Sequence, residues 1–135
     1  MGVKLSVRDG NGELGVVETA TEDDFMYFRD SVHDALETGE FGSRFPTFMQ
    51  NFYADWQADA VAALERELIE IHAAFRQLPP TPSDSNWSSR LAQSKRHPET
   101  LAEVFVDMDD APLLERLIAL ASLARKRRLA VNWGG

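Results

Sequence analysis

The chain contains no cysteine, which removes disulfides, thiolate metal sites and cysteine nucleophiles together. It has no apolar run approaching the roughly 18 to 20 residues of a membrane span. Met1 to Val7 alternates instead of presenting the apolar stretch of a signal peptide. Basic charge is scarce, with 14 Lys and Arg against 22 Asp and Glu and a net charge of −8. Nucleic-acid binding draws most of its affinity from Lys and Arg neutralising phosphates, so this balance argues against it. The catalytic and nucleotide-binding signatures Gly-x-Ser-x-Gly, His-Glu-x-x-His and the Lys-Ser/Thr end of a phosphate loop are missing. His33, His72 and His97 stand apart in sequence and read as surface histidines, so a zinc site is unsupported. What remains is a soluble cytoplasmic protein, not an enzyme, with no cofactor, no metal, no nucleic-acid partner and no membrane partner. Its acidity serves solubility and also suits a basic protein partner, because complementary charge speeds encounter.

At 135 residues the sequence fits one domain over 1–135 with a sizeable core. Val3, Leu5 and Val7 alternate with polar residues as in a half-buried strand. Asp9-Gly10-Asn11-Gly12 suits a tight turn, and Leu14 to Val17 returns as a second strand. Thr21 reads as the N-cap of a helix with Glu22, Asp23 and Asp24 in its first turn, apolar residues Phe25, Phe28, Val32 and Leu36, and Gly39 as its stop. Pro46 predicts a short helix to about Asp55. Val61, Leu64, Leu68, Ile71, Phe75 and Leu78 mark the clearest amphipathic helix, ended by Pro79-Pro80-Thr81-Pro82. Ser83 to Ser89, around Trp87, reads as a loop, and Ser88 to Arg96 as a weak helix candidate. Glu103 to Val106 is β-prone. Pro112 opens a last helix, with Arg125 to Arg128 in its final turn, and Leu129, Val131 and Trp133 alternate as a closing strand. The expected fold is α+β: a sheet of about three to four strands, built from the N-terminal hairpin and a C-terminal β-α-β unit, with about four helices packed on it. The length of the last crossover predicts Val104–Val106 and Leu129–Trp133 as parallel neighbours.

Two places draw attention as sites. Asp107, Asp109 and Asp110 are the densest carboxylate cluster. They read either as a connection whose acids cap the helix after Pro112 or as a patch for a basic partner. The glycine and distal glutamate of a calcium loop are absent. Arg44 lies among Phe41, Phe45 and Phe48. A guanidinium there either staples the loop between helices or offers a fixed contact to a partner protein.

Gly42-Ser43-Arg44-Phe45-Pro46 is followed by Met49 and Tyr53, then by Ala63, Leu64, Glu67, Leu68 and Ile71 on the long helix, Leu78-Pro79-Pro80, and Trp87. With the closing layout of Val104-Phe105-Val106, an acidic turn, a helix and a strand, the chain resembles the immunity protein 70 family of bacterial polymorphic toxin systems. It departs from that pattern at Ala54, where a glycine is usual nearby, and at Ser88, where aspartate is usual. The resemblance implies a stoichiometric inhibitor that binds a cognate toxin domain. No catalytic residues carry over from it. Arg44, Asp107, Asp109 and Asp110 are the partner-binding candidates. The alternative is a non-catalytic structural or regulatory binding module, such as a homodimer joined through an exposed apolar helix face.

Overall fold

Val3, Leu5 and Val7 are all buried, and the strand that carries Leu5 and Val7 lies at the centre of the sheet. A computed structural model describes residues 2–10, 12–50, 53–80 and 98–134. Strand β1 (Lys4–Asp9) pairs antiparallel with β2 (Gly12–Glu18) through the expected hairpin, with Gly10 at φ +55° in its turn. Helix α1 (Glu22–Leu36) starts where expected, with the Thr21 side chain accepting a hydrogen bond from the Asp24 amide at 3.1 Å. Helix α2 (Val61–Phe75) ends short of Leu78, which continues to pack against the core in the following turn. Helix α3 (Leu113–Arg127) ends with Arg128 in the left-handed conformation, and β3 (Asn132–Gly134) closes the chain.

Among the described residues there are three strands and three α-helices, so the expected α+β class holds with one helix fewer. The strand order is β2-β1-β3 and every pairing is antiparallel, with Leu5 opposite Trp133. This corrects the parallel β-α-β unit. Val104 to Val106 is deeply buried but does not enter the sheet. Just before it, Leu101–Glu103 forms a 3₁₀ turn, with the Glu103 carboxylate accepting from the amides of Glu99 and Thr100 at 2.9 and 3.0 Å. Just after it, the Asp107 carboxylate closes another turn, and Val106 is bridged only to Pro112. The side-chain-enforced turns on either side bend these three residues away from the sheet, and the β-branched residues there serve burial instead.

Among the described residues the short helix expected from Pro46 to about Asp55 does not form: residues 46–50 make turns, with the Met49 amide donating to the Phe45 carbonyl at 2.9 Å. Ser88 to Arg96 and the loop around Trp87 lie outside the described residues.

The sheet edges are covered in part, as exposed edges invite pairing with other chains. On β2 the Val16 carbonyl accepts from Arg116 at 3.1 Å, and the Glu18 carbonyl from the Met108 amide at 2.8 Å. Beside β3, Val131 and Trp56 exchange two backbone bonds of 2.9 Å, and the Trp133 amide donates to Asp55 at 2.7 Å. Helix α3 crosses the sheet at Gly15, where an added Cβ would come within 3.1 Å of both Leu120 and Leu123. Helix α2 packs along α3 on the same side.

Phe28 joins the parts of the core. Its ring meets Phe25 at 6.0 Å, Phe48 at 5.7 Å, Phe75 at 6.4 Å and Phe105 at 5.1 Å, mostly edge to face. One side chain of α1 thus touches the loop before α2, α2 itself and the segment before α3. Phe28→Ala removes those contacts and leaves a cavity that the surrounding rings cannot fill. Urea unfolding should show a loss of about 3–5 kcal/mol.

Candidate functional site

Helix α1 stops at Leu36 because Glu37 turns into extended backbone, two residues before the glycine expected to stop it. The Glu37 side chain, 6% exposed, folds back under the next loop. Its carboxylate accepts from the amides of Gly42 at 3.1 Å, Arg44 at 3.0 Å and Phe45 at 2.9 Å. Burial alone would raise the Glu37 pKa. The three amide bonds, from Phe45, Arg44 and Gly42 in order of strength, outweigh it and hold the carboxyl below its ordinary value. Gly42 sits at φ +90°, which lets the backbone curl its amide towards that carboxylate.

A second acid does the same work from α2. Glu67 is 8% exposed and accepts from the amides of Thr47 at 3.2 Å and Phe48 at 2.8 Å. Its position is legible in hindsight, since it falls between Leu64 and Ile71 on the apolar stripe, where a carboxylate needs a specific partner. The carbonyls of the same loop go to other side chains. Arg29 donates to Met49 and Gln50, Trp56 to Thr47 at 2.7 Å, and Gln50 to Ala54 and Asp55.

Arg44 therefore has company in holding the loop. Its guanidinium reaches the Leu36 carbonyl at 3.3 Å, sits 3.5 Å from Glu70 and lies 5.1 Å from the centre of the Phe45 ring, with the side chain still exposed. The three aspartates separate by environment. Asp107 is 1% exposed and accepts from the amides of Asp109 at 2.9 Å and Ala111 at 3.0 Å, with Arg116 at 3.5 Å. Asp109 and Asp110 are exposed, and Asp110 has φ +61°. Neither caps α3, whose N-cap is Pro112 without a side-chain bond; Asp107 closes the preceding turn instead. Arg44 and the aspartates sit on separate elements.

The sequence reading missed a row along the outer side of α1, formed by Glu22, Met26, Arg29 and His33. At its first end the Tyr53 hydroxyl donates to Glu22, and the Tyr53 ring meets Trp133 edge to face at 5.7 Å. At the other end Phe41 stacks on His33 at 4.0 Å and lies 5.3 Å from the Arg29 guanidinium. Because a carbonyl can only accept, the His33 Nε2 carries hydrogen and donates to Gly39 at 2.7 Å. The Nδ1 faces Asp34 at 3.0 Å. The Gly39 carbonyl first, then Asp34, raises the His33 pKa. Asp30 is raised as well, by burial and then by the charge of Asp34 one turn on. Among the described residues no three His, Asp or Glu side chains converge to hold a metal ion, and no helix is long and apolar enough to cross a membrane.

Comparison with known proteins supplies the family. The model of Immunity protein 70 matches residues 11–132, nearly the whole chain, so this chain belongs to that family. No curated protein and no solved structure matches it.

The loop geometry assigns different weights to Glu37 and Arg44. Glu37→Ala orphans three amides and should cost about 3 kcal/mol in chemical unfolding, whereas Arg44→Ala breaks exposed contacts and should cost at most about 1 kcal/mol. A depressed carboxyl stabilises the fold above its unfolded value and loses that contribution as pH falls through the folded one. Stability should therefore drop below pH 4.5, the ordinary glutamate value, and Glu37→Gln should flatten that part of the profile. For His33 the sign is opposite: its contribution is full below 6.5 and fades as pH rises through the raised value.

Proposed function

Proceeding from that family membership, we propose that this chain is a cytoplasmic immunity protein that neutralises a cognate polymorphic toxin by stoichiometric binding, without turnover and without a cofactor. The observation that carries the reading is the family match over residues 11–132. The fold is of a kind that suits it. A loop whose amides and carbonyls are met by buried side chains holds its shape before binding, so little ordering entropy is lost on association. The whole of 1–135 acts as one domain in this reading.

The net charge of −8 favours a basic toxin domain, such as one acting on nucleic acid. Asp109 and Asp110 add to the acidic field that steers such a partner. Asp107 contributes indirectly, by closing the turn that presents them. In this reading Arg44, exposed on the loop after α1, contacts the partner while helping to hold its own loop. A homodimer through an exposed helix face is the second reading, and no feature of the geometry favours it over the first.

Tagged protein drawn from the producing cells and washed in salt should retain a toxin domain at one to one, read by mass spectrometry. Expression of that toxin alone should arrest growth, and co-expression of this chain should restore it. Recovery of only the chain itself, in cells shown to make the toxin, would count against the reading. With the toxin in hand, Asp109→Lys with Asp110→Lys should slow association in a salt-dependent way and leave dissociation unchanged, the signature of charges that steer.

A further inference from the structure

The exposed side of α1 combines features that a solvated helix face has little reason to keep. Met26 is 42% exposed, Phe41 46% and Tyr53 60%. All three lie along one row, since Glu22, Met26, Arg29 and His33 follow one another at spacings of four, three and four, a length of about 16 Å. Each aromatic end is fixed. Tyr53 is tied to Glu22 and packed on Trp133, although its φ of +70° is a conformation that bulky residues rarely adopt. Phe41 is held flat by His33 and Arg29, on a loop that Glu37 anchors from beneath. Aromatic residues, Met and Arg are the types enriched where proteins meet, and rigid exposed rings lose little freedom on contact.

The exposed carboxylates Asp23, Asp30 and Asp34 line one flank of this row on α1, and Glu40 is exposed on the loop next to Phe41. Asp30 and Asp34 lie four apart, a like-charge spacing that works against the helix itself. The cation of the row, Arg29, points its guanidinium to the carbonyls of Met49 and Gln50.

We propose that the outer face of α1, with Met26, Phe41 and Tyr53 as apolar anchors flanked by the acids Asp23, Asp30, Asp34 and Glu40, is the surface that docks the toxin domain. The matching partner surface presents an apolar or aromatic side chain flanked by lysines and arginines. This inference rests on the toxin-binding reading and narrows it to one face.

The probe is the toxin domain recovered with the wild-type protein, titrated onto four immobilised forms of the full chain. These are wild type, Asp30→Lys with Asp34→Lys, Met26→Asp with Phe41→Ala, and Asp9→Lys at the hairpin tip as a charge control. Circular dichroism and thermal melts check that each form is folded. The double lysine variant should associate about tenfold more slowly at low salt, with the difference shrinking at high salt. The Met26 and Phe41 variant should dissociate at least about tenfold faster, and the control should match wild type. If Met26→Asp with Phe41→Ala melts, the lysine variant decides alone. Wild-type kinetics in the α1 variants would overturn the surface and leave the toxin-binding reading standing. Altered sedimentation of those variants with unchanged toxin binding would overturn it in favour of a second copy of the chain. Failure of wild type to retain any toxin domain would overturn the toxin-binding reading and the surface with it.

Discussion

Residues 37–60 connect α1 to α2 with no helix or strand among the described residues, yet Phe45, Phe48 and Met49 from this stretch are buried in the core. Long irregular segments normally stay at the surface, because buried amides and carbonyls need partners that only helices and sheets supply regularly. Here side chains take the place of a ladder. Glu37 and Glu67 between them accept from the amides of Gly42, Arg44, Phe45, Thr47 and Phe48. Two buried carboxylates would be a liability without those donors. With them, each acid offsets its own burial and organises several residues of backbone.

The rest of the molecule follows from this arrangement. A fixed loop can deliver Phe45 and Phe48 inward, and Phe28 gathers Phe48 together with Phe75 and Phe105 from elements far apart in sequence. The same loop delivers Phe41 outward onto His33 and Arg29. Further along, Asp55 and Trp56 tie its end to the closing strand through Trp133 and Val131. Core and exposed aromatic face are therefore two sides of one device, and a surface held in advance loses little freedom on contact with a partner.

Much of the fold was legible in the amino-acid order. Thr21 with its following acids marked the start of α1, the stripe from Val61 to Phe75 marked α2, and the Asp-Gly and Asn-Gly pairs marked the hairpin. The resemblance carried by Gly42 to Pro46 and the α2 residues led to the right family. Strand pairing was not legible, because a β-prone triplet looks the same whether it runs in a sheet or lies buried between two turns. The clue lay outside the triplet, in Thr100, Glu103 and Asp107, whose side chains bend the chain on either side. The two organising glutamates were hidden for a related reason. An acid reads as surface by default, and only Glu67's place on an apolar stripe sets it apart. The aromatic ends of the row on α1 could not be read from spacing, because Phe41 and Tyr53 reach it only through the loop.

The central claim is that Glu37 and Glu67 hold residues 42–48 as firmly as regular secondary structure would. Hydrogen exchange at the amides of Gly42, Arg44, Phe45, Thr47 and Phe48 tests it directly. The account predicts protection comparable to that of buried amides in α2, lost at the first three on Glu37→Ala and at the last two on Glu67→Ala, with α2 itself still protected. Fast exchange at these five amides in the wild-type protein would contradict it, since the loop would then open independently of the carboxylates beneath it.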